Sequence, residues 1–289
     1  MFDFNLIDSK TSLGESGFYL PQTNEIVFLD LANPTLLIYS LKNNSLLKYK
    51  INLPKPLGNI YPKKDGNFFI SCFNGLYSYN RKSKKISKII DIRKKDELKD
   101  ISYNDGTITK NKIWLGTCHI KETKDLGYFG FLTKNKFQII DRKFKVSNGP
   151  AVNEKTKKLF FSDSFNSKIY EYNLNNYNRK NIIKFKKSEG FPDGIALDAD
   201  NGLWVAHWAG AKVSRINLKN KKIDFSINLP ALNVTSVTFF GNKMNYLFIT
   251  SAKIGTSPRQ LRKYPYSGSS FIIKTDYQGL KIPFTGIKF

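Results

Sequence analysis

The sequence predicts an all-β chain folded as a six-bladed β-propeller with four-stranded antiparallel blades. A pattern occurs six times, in which a polar residue opens an apolar strand and a second strand follows with a large apolar residue ten to twelve positions later. Successive copies are 44, 45, 44, 45 and 43 positions apart, and their polar residues are Glu15, Asn59, Asn104, Asn148, Asp193 and Ser236. A strand repeat of this length is typical of propeller blades, because a small antiparallel sheet needs stacked neighbours to bury its faces.

Within each copy, the pattern favours a meander of four short strands. In the fifth copy, strands are predicted at 195–198, 202–208, 212–218 and 222–228, separated by segments rich in Asp, Asn, Gly or Lys. The fourth copy has matching strands at 149–153, 158–164, 168–174 and 181–185. No comparable stretch has helical periodicity, so almost no helix is expected.

The second strands and the chain ends complete the predicted architecture. The 23 Phe and 15 Tyr supply aromatic side chains for the gaps between blades. The large apolar residues of the second strands are Val27, Phe69, Trp114, Phe160, Trp204 and Phe248.

Residues 1–14 and 280–289 fall outside the repeat, so we expect one terminus to close the ring by adding a strand to a blade built mostly from the other. An irregular insertion at 118–127 is a candidate lid over one mouth of the channel.

Length and charge limit the class of protein. The 289 residues are expected to form a single domain, 1–289, and the net charge is +24. Because the lysines fall mainly in turns spread over several copies, we interpret the charge as a solvated basic surface, and expect no nucleic-acid or membrane partner. The start of the chain lacks the features of a secretory signal, and two cysteines do not make a disulfide framework. We therefore expect a cytoplasmic monomer or weak oligomer.

The six repeated polar residues are expected to face one central cavity, because the first strand of a propeller blade lies nearest the axis. Taken singly, the NDG, SNG and PDG segments are ordinary turn signals. Two carboxylates and three amides at equivalent positions instead favour an oxygen-rich cation site. Glu15, Asn148 and Asp193 offer three oxygen ligands and leave positions open for water or substrate. The cofactor is predicted as one divalent metal cation, and calcium, zinc, magnesium, manganese and ferrous iron all remain possible.

Several segments resemble motifs of the SMP-30, gluconolactonase and regucalcin family. They are LGESGFY (13–19), YNDGTITKNKIWLGT (103–117), SNGPAVN (147–153), PDGIALDADNGLWVAHWAGAKVSRIN (192–217) and TSVTFFGNKMNYLFITSAK (235–253). The likeness extends in order from about Leu13 to about Lys274. It implies a six-bladed propeller with one divalent metal near the axis and an activity that hydrolyses lactones of sugar acids, such as glucono-, xylono- or galactonolactone, to the aldonic acid.

The resemblance also implies roles for individual residues. Glu15, Asn148 and Asp193 become the metal ligands, and Asp193 is in addition the general base. Asn104 becomes a contact to substrate or to a metal-bound water, and Asn59 a contact to sugar hydroxyls. Ser102 is also predicted to contact substrate, and it occupies a position where the family often has arginine. This departure leaves the identity of the substrate undecided. Two alternatives remain: a non-catalytic, regulatory metal-binding propeller of the regucalcin type, and an esterase or phosphotriesterase on the same scaffold.

Overall fold

A computed structural model describes residues 3–91, 99–134, 137–287 and 289, and confirms the predicted fold class. Six four-stranded antiparallel sheets form a ring. Strand β1 (Phe4–Ile7) precedes three blades, which comprise β2 (Gly14–Leu20), β3 (Glu25–Asp30), β4 (Thr35–Ser40) and β5 (Ser45–Lys50); β6 (Leu57–Pro62), β7 (Phe68–Cys72), β8 (Gly75–Tyr79) and β9 (Ile86–Ile90); and β10 (Ile101–Ile108), β11 (Ile113–His119), β12 (Gly127–Leu132) and β13 (Phe137–Phe144).

The remaining blades continue in chain order. They comprise β14 (Ser147–Asn153), β15 (Lys158–Asp163), β16 (Lys168–Asn173) and β17 (Arg179–Lys184); β18 (Phe191–Leu197), β19 (Gly202–Trp208), β20 (Lys212–Asn217) and β21 (Lys222–Asn228); and β22 (Asn233–Phe240), β23 (Tyr246–Ala252) and β24 (Ser270–Lys274). In the described part of the chain, helix is confined to a 3-10 turn at Lys187–Glu189 and to α1 (Pro258–Lys263), which Ser257 caps. None of the helices in these ranges is long and apolar enough to cross a membrane.

The sixth blade closes the ring with a strand from the opposite end of the chain. Its strand order is β22, β23, β24 and then β1, in which Phe4 lies opposite Ile273 and Ile7 opposite Ser270. The innermost strands β2, β6, β10, β14, β18 and β22 contact one another in an unbroken cycle. The expectation that one terminus completes a blade of the other is confirmed, and the outer edge of β24 is thereby paired.

The C-terminal segment after β24 crosses one mouth of the channel. The Gly279 amide donates to the Met244 carbonyl at 2.7 Å, and the Leu280 amide donates to the Leu197 carbonyl at 2.9 Å. Further along, Phe284 packs edge-on against Phe18 with ring centroids 5.6 Å apart. We call residues 280–287 the C-terminal strap. The strap covers the mouth of the channel at which the innermost strands end.

Aromatic side chains fill the gaps between blades, as the composition predicts. Phe129 and Phe161 join the third and fourth blades with ring centroids 4.3 Å apart, and Phe28 and Phe248 join the first and sixth at 5.0 Å. Each of the six second-strand residues singled out from the repeat is buried. The blades thus share continuous apolar cores, which stabilise the ring as a whole.

Every innermost strand has a break in its ladder at the repeated polar position. The register shifts fall between Glu15 and Phe18 in β2, between Asn148 and Ala151 in β14, and at the equivalent places in the other four blades. The NDG, SNG and PDG segments therefore lie within strands, and not in turns as each would suggest by itself. A β-bulge leaves residues unpaired and bends its strand. The repeated polar residues therefore lie within these bends or directly beside them.

Gly149 tests how closely these bulged strands approach each other. It has a φ of +46°, and a Cβ atom there would lie 2.6 Å from the Asp193 carbonyl oxygen. We predict that Gly149→Ala lowers the free energy of unfolding by about 2–4 kcal/mol, since backbone strain and a backbone clash act together. Gly66→Ala is the matched control, because Gly66 also has a positive φ but no atom lies within 4 Å of the added Cβ. Equal losses for the two variants in denaturant titrations would contradict the close-approach argument.

Candidate functional site

Three carboxylates from three blades lie together near the axis. Burial raises the pKa of Glu15 well above its ordinary value, and the charges of Asp193 and then Asp105 raise it further. Burial also raises the pKa of Asp193, with additional contributions from Asp105 and Glu122. Among the described residues, no lysine or arginine forms an ion pair with any of the three. The site therefore concentrates negative charge that the protein does not neutralise.

Asp105 belongs to this group although the sequence analysis did not select it. Its Oδ1 accepts from the Asn59 amide nitrogen at 2.6 Å and from the Gly106 N–H at 2.6 Å, and its Oδ2 accepts from the Gly149 N–H at 2.7 Å. Burial is the main cause that raises its pKa to about 6, while these hydrogen bonds act in the opposite direction. One carboxylate thus links the second, third and fourth blades directly beside the axis.

The side-chain amides of Asn104 and Asn148 complete the site. The Asn104 side-chain nitrogen donates to the Asn148 Oδ1 at 2.5 Å and to the Ser147 carbonyl at 2.8 Å. The Asn148 nitrogen donates to the Ser164 hydroxyl at 3.0 Å. These bonds fix the orientation of the Asn148 amide, whose oxygen accepts from Asn104.

Neighbouring blades hold the backbone of the site residues through hydroxyl groups. Ser162 donates to the Asp193 carbonyl at 2.9 Å, and Ser164 donates to the Pro192 carbonyl at 2.7 Å. Thr235 donates to the Gly14 carbonyl at 2.5 Å, next to Glu15. Each candidate ligand therefore depends on the blade beside it as well as on its own strand.

The donor set fits a hard divalent cation. Buried, mutually repelling carboxylates with raised pKa values are stabilised by a positive charge, and carboxylate and amide oxygens are the ligands that such cations prefer. In the residues that the structure describes, no three acidic, histidine or cysteine side chains form a metal site by themselves. A cation at this place would accordingly need the Asn148 oxygen together with Glu15 and Asp193, and that combination is the predicted one.

Two residues predicted to contact substrate are engaged by the protein. Both ends of the Asn59 amide are used, because its oxygen accepts from the Ile60 N–H and its nitrogen donates to Asp105 and to the Gly106 carbonyl. Ser102 is 1% exposed, and its hydroxyl donates to the Tyr103 carbonyl at 3.1 Å. Asn59 therefore holds the Asp105 carboxylate in place, and the Ser102 side chain is not exposed to the channel. Their substrate contacts remain predictions.

The insertion of the third blade lies on the side of the channel where the carboxylates are. Strand β11 extends to His119, so the irregular segment is shorter than predicted and covers 120–126. The Glu122 N–H donates to the His119 carbonyl at 2.7 Å, and Thr123 donates to His119 Nδ1 at 3.1 Å from its hydroxyl. Since the charge of Glu122 contributes to the raised pKa of Asp193, this loop reaches toward the site. Its function as a lid remains a prediction.

Behind the site, the channel widens into a cavity of about 640 Å³. Asn59, Asp105 and Ser236 lie at its inner end, and the C-terminal strap lines the opposite end. Its walls are largely apolar and come from the lower halves of the innermost strands. The C-terminal strap, and not the 120–126 loop, therefore borders this cavity.

Comparison with known proteins agrees with this arrangement. The family description "SMP-30/Gluconolactonase/LRE-like region" matches residues 13–253. Regucalcin of Danio rerio is 26% identical over 277 residues, covering 92% of each chain. The 6-deoxy-6-sulfogluconolactonase of Pseudomonas putida is 26% identical over 240 residues, covering 81% of each chain.

A solved structure extends the comparison to three dimensions. The calcium-binding protein regucalcin from Agrobacterium tumefaciens superposes with a TM-score of 0.89 at 18% identity, covering 98% of this chain and 97% of that one. At this identity, the likeness concerns the fold alone. From the match over residues 13–253, together with the six bulged strands and the acidic site on their axis, we conclude that the chain belongs to the SMP-30/gluconolactonase/LRE-like family.

Proposed function

We propose that this protein is a metal-dependent hydrolase that opens a sugar-acid lactone to the free hydroxy acid. The observation that carries the proposal is the group of three buried carboxylates, without a cationic partner among the described residues, beside a fixed amide oxygen. The family membership and the relative from Pseudomonas putida support the choice of a lactone. Glu15, Asn148 and Asp193 hold the cation in this proposal.

The side chains have distinct parts in the proposed reaction. A divalent cation bound there supplies the Lewis acid that polarises the lactone carbonyl and the positive charge that keeps Asp193 ionised. Asp193 accepts a proton from water as the water oxygen bonds to the carbonyl carbon. The ring C–O bond then breaks, and the proton passes to the departing oxygen, which becomes the hydroxyl of the product. Asn104, whose amide already contacts Asn148, orients the substrate or the attacking water.

The second candidate is a metal-binding regulatory propeller without turnover. It is considered because regucalcin of Danio rerio resembles this chain over 92% of its length. Both candidates need the same cation site, so metal binding alone does not separate them. Turnover separates them, because only an enzyme hydrolyses a lactone.

Turnover is tested with a panel of lactones. We expect acid release from glucono-, xylono- or galactonolactone with added calcium, magnesium, manganese or zinc, and none above background with a chelator. Asp193→Ala should lower kcat by about a thousandfold or more, because it removes both the base and a ligand. Asp65→Asn, a change at an exposed carboxylate in a turn, is the control and should retain full activity. Metal binding with no turnover of any lactone would favour the regulatory candidate.

The repulsion between the carboxylates predicts an effect on the metal-free protein. Glu15→Gln removes one of three charges, so it should raise the metal-free free energy of unfolding by about 1–3 kcal/mol at pH 7.5. The same variant should lose the stabilisation that calcium or another divalent cation gives to the wild type. Thermal melts with and without metal measure both quantities. A less stable variant that still responds to metal would contradict the electrostatic argument.

The same charges predict how stability depends on pH. The pKa values of the three carboxylates are raised in the folded state, and that of Asp105 is about 6. The folded protein therefore binds more protons than the unfolded chain between about pH 4 and these raised pKa values. Their contribution to stability is therefore present at low pH and is lost as the pH rises through this window. We expect the stability gain of Glu15→Gln over wild type to be small at pH 5 and larger at pH 7.5. Equal gains at both values, measured by denaturant titration, would be the contrary result.

A further inference from the structure

An exposed aromatic surface borders the candidate metal ligands. Phe165 and Phe191 pack with ring centroids 6.1 Å apart, and Phe191 is the direct cross-strand neighbour of Trp208. We call these three residues the aromatic wall. Phe165 is 49% exposed although it is a large apolar side chain, and Trp208 is half-buried, whereas Trp114 and Trp204 are fully buried. This combination of contact and exposure leaves one face of the wall open to solvent.

The wall is tied to the site through Ser164. The Ser164 hydroxyl accepts from the Asn148 amide at 3.0 Å and donates to the Pro192 carbonyl at 2.7 Å. Phe165 follows Ser164 directly in the chain, and Phe191 lies two residues before Asp193. The two phenylalanines therefore lie at fixed positions next to two of the three candidate ligands, at the end of the channel opposite the C-terminal strap.

Further apolar side chains and a lysine lie around this mouth, together with the acidic Glu122. The Lys145 ammonium lies 5.5 Å from the centre of the Phe165 ring and shields one side of it. In the described ranges, five of the exposed large apolar residues belong to connections between second and third strands on this side: Ile120, Leu126, Phe165, Ile254 and Tyr266. The one polar residue predicted to replace the charged clamp of the family, Ser102, is buried and turned to the backbone.

We propose that the aromatic wall is a subsite for an apolar substituent, so that the preferred substrate is a lactone whose ring carries an alkyl or aryl group. The inference rests on the proposed lactone hydrolysis and goes beyond the sugar-acid lactones to a second kind of lactone, which carries an apolar group. A substituent next to the scissile ester lies over Phe165 and Phe191 when the carbonyl is at the ligands. Apolar contact then adds binding that an unsubstituted ring lacks.

The test compares δ-nonalactone, which carries a butyl chain, with unsubstituted δ-valerolactone on the metal-supplemented protein. Wild type should show a kcat/KM for δ-nonalactone about tenfold or more above that for δ-valerolactone. Phe165→Ser should reduce this ratio to near one, chiefly through a lower kcat/KM for δ-nonalactone. Phe165→Leu, which keeps an apolar side chain, should retain most of the ratio. Leu47→Ser changes a residue of similar exposure on the outermost strand β5 and should have no effect.

Binding is measured independently of turnover through Trp208. The six-membered lactam with the same butyl chain is not hydrolysed readily, and its binding should quench tryptophan fluorescence in wild type and at least tenfold more weakly in Phe165→Ser. A ratio near one in wild type, or a ratio and a lactam affinity that Phe165→Ser leaves unchanged, overturns the subsite while metal-dependent opening of gluconolactone still supports the proposed function. Lactam binding that depends on Phe165 without hydrolysis of any lactone supports the apolar subsite and overturns the proposed function.

Discussion

The convergence of six innermost strands on one axis is the constraint from which the rest of the structure follows. Each of these strands has a β-bulge at or directly beside the repeated polar residue. Glycines stand where a Cβ would meet the next strand, as at Gly149 beside Asp193 and Gly194 beside Ser236. The bulges direct polar side chains inward, so a packing requirement also creates the oxygen-rich centre of the ring.

Closure of the ring then holds an electrostatically unfavourable arrangement in place. Glu15, Asp105 and Asp193 repel one another, and each is fixed by hydrogen bonds to its own or to neighbouring blades. The aromatic cores between blades, and the N-terminal strand that completes the sixth, oppose any movement that would separate these carboxylates. A rigid site with uncompensated negative charge is suited to bind a divalent cation, because the ligands need little reorganisation.

The two ends of the channel are adapted differently. At one end, the C-terminal strap lines the cavity that Asp105 also borders. At the open end, the connections between second and third strands form the mouth, and their side chains are free to vary without disturbing the sheets. The aromatic wall belongs to these connections and to the first residue of β18. In our proposals, the inner strands supply the reacting groups and the loops supply the apolar contact to the substrate.

The amino-acid sequence by itself determined the architecture, because a spacing of 43 to 45 residues and the alternation of short strands follow from the geometry of a blade. The repeat also marked six polar residues that meet at the axis, and the family resemblance selected Glu15, Asn104, Asn148 and Asp193 among them. The repeat did not identify Asp105, because it marks one residue per copy. Only the bulge in β10 brings the Asp105 carboxylate to the axis beside the other site residues. The burial of Ser102, the use of Asn59 to hold Asp105 and the pairing of Phe165 with Phe191 were likewise decided by tertiary structure. These features depend on contacts between blades, which join residues far apart in the chain and leave no local pattern in the sequence.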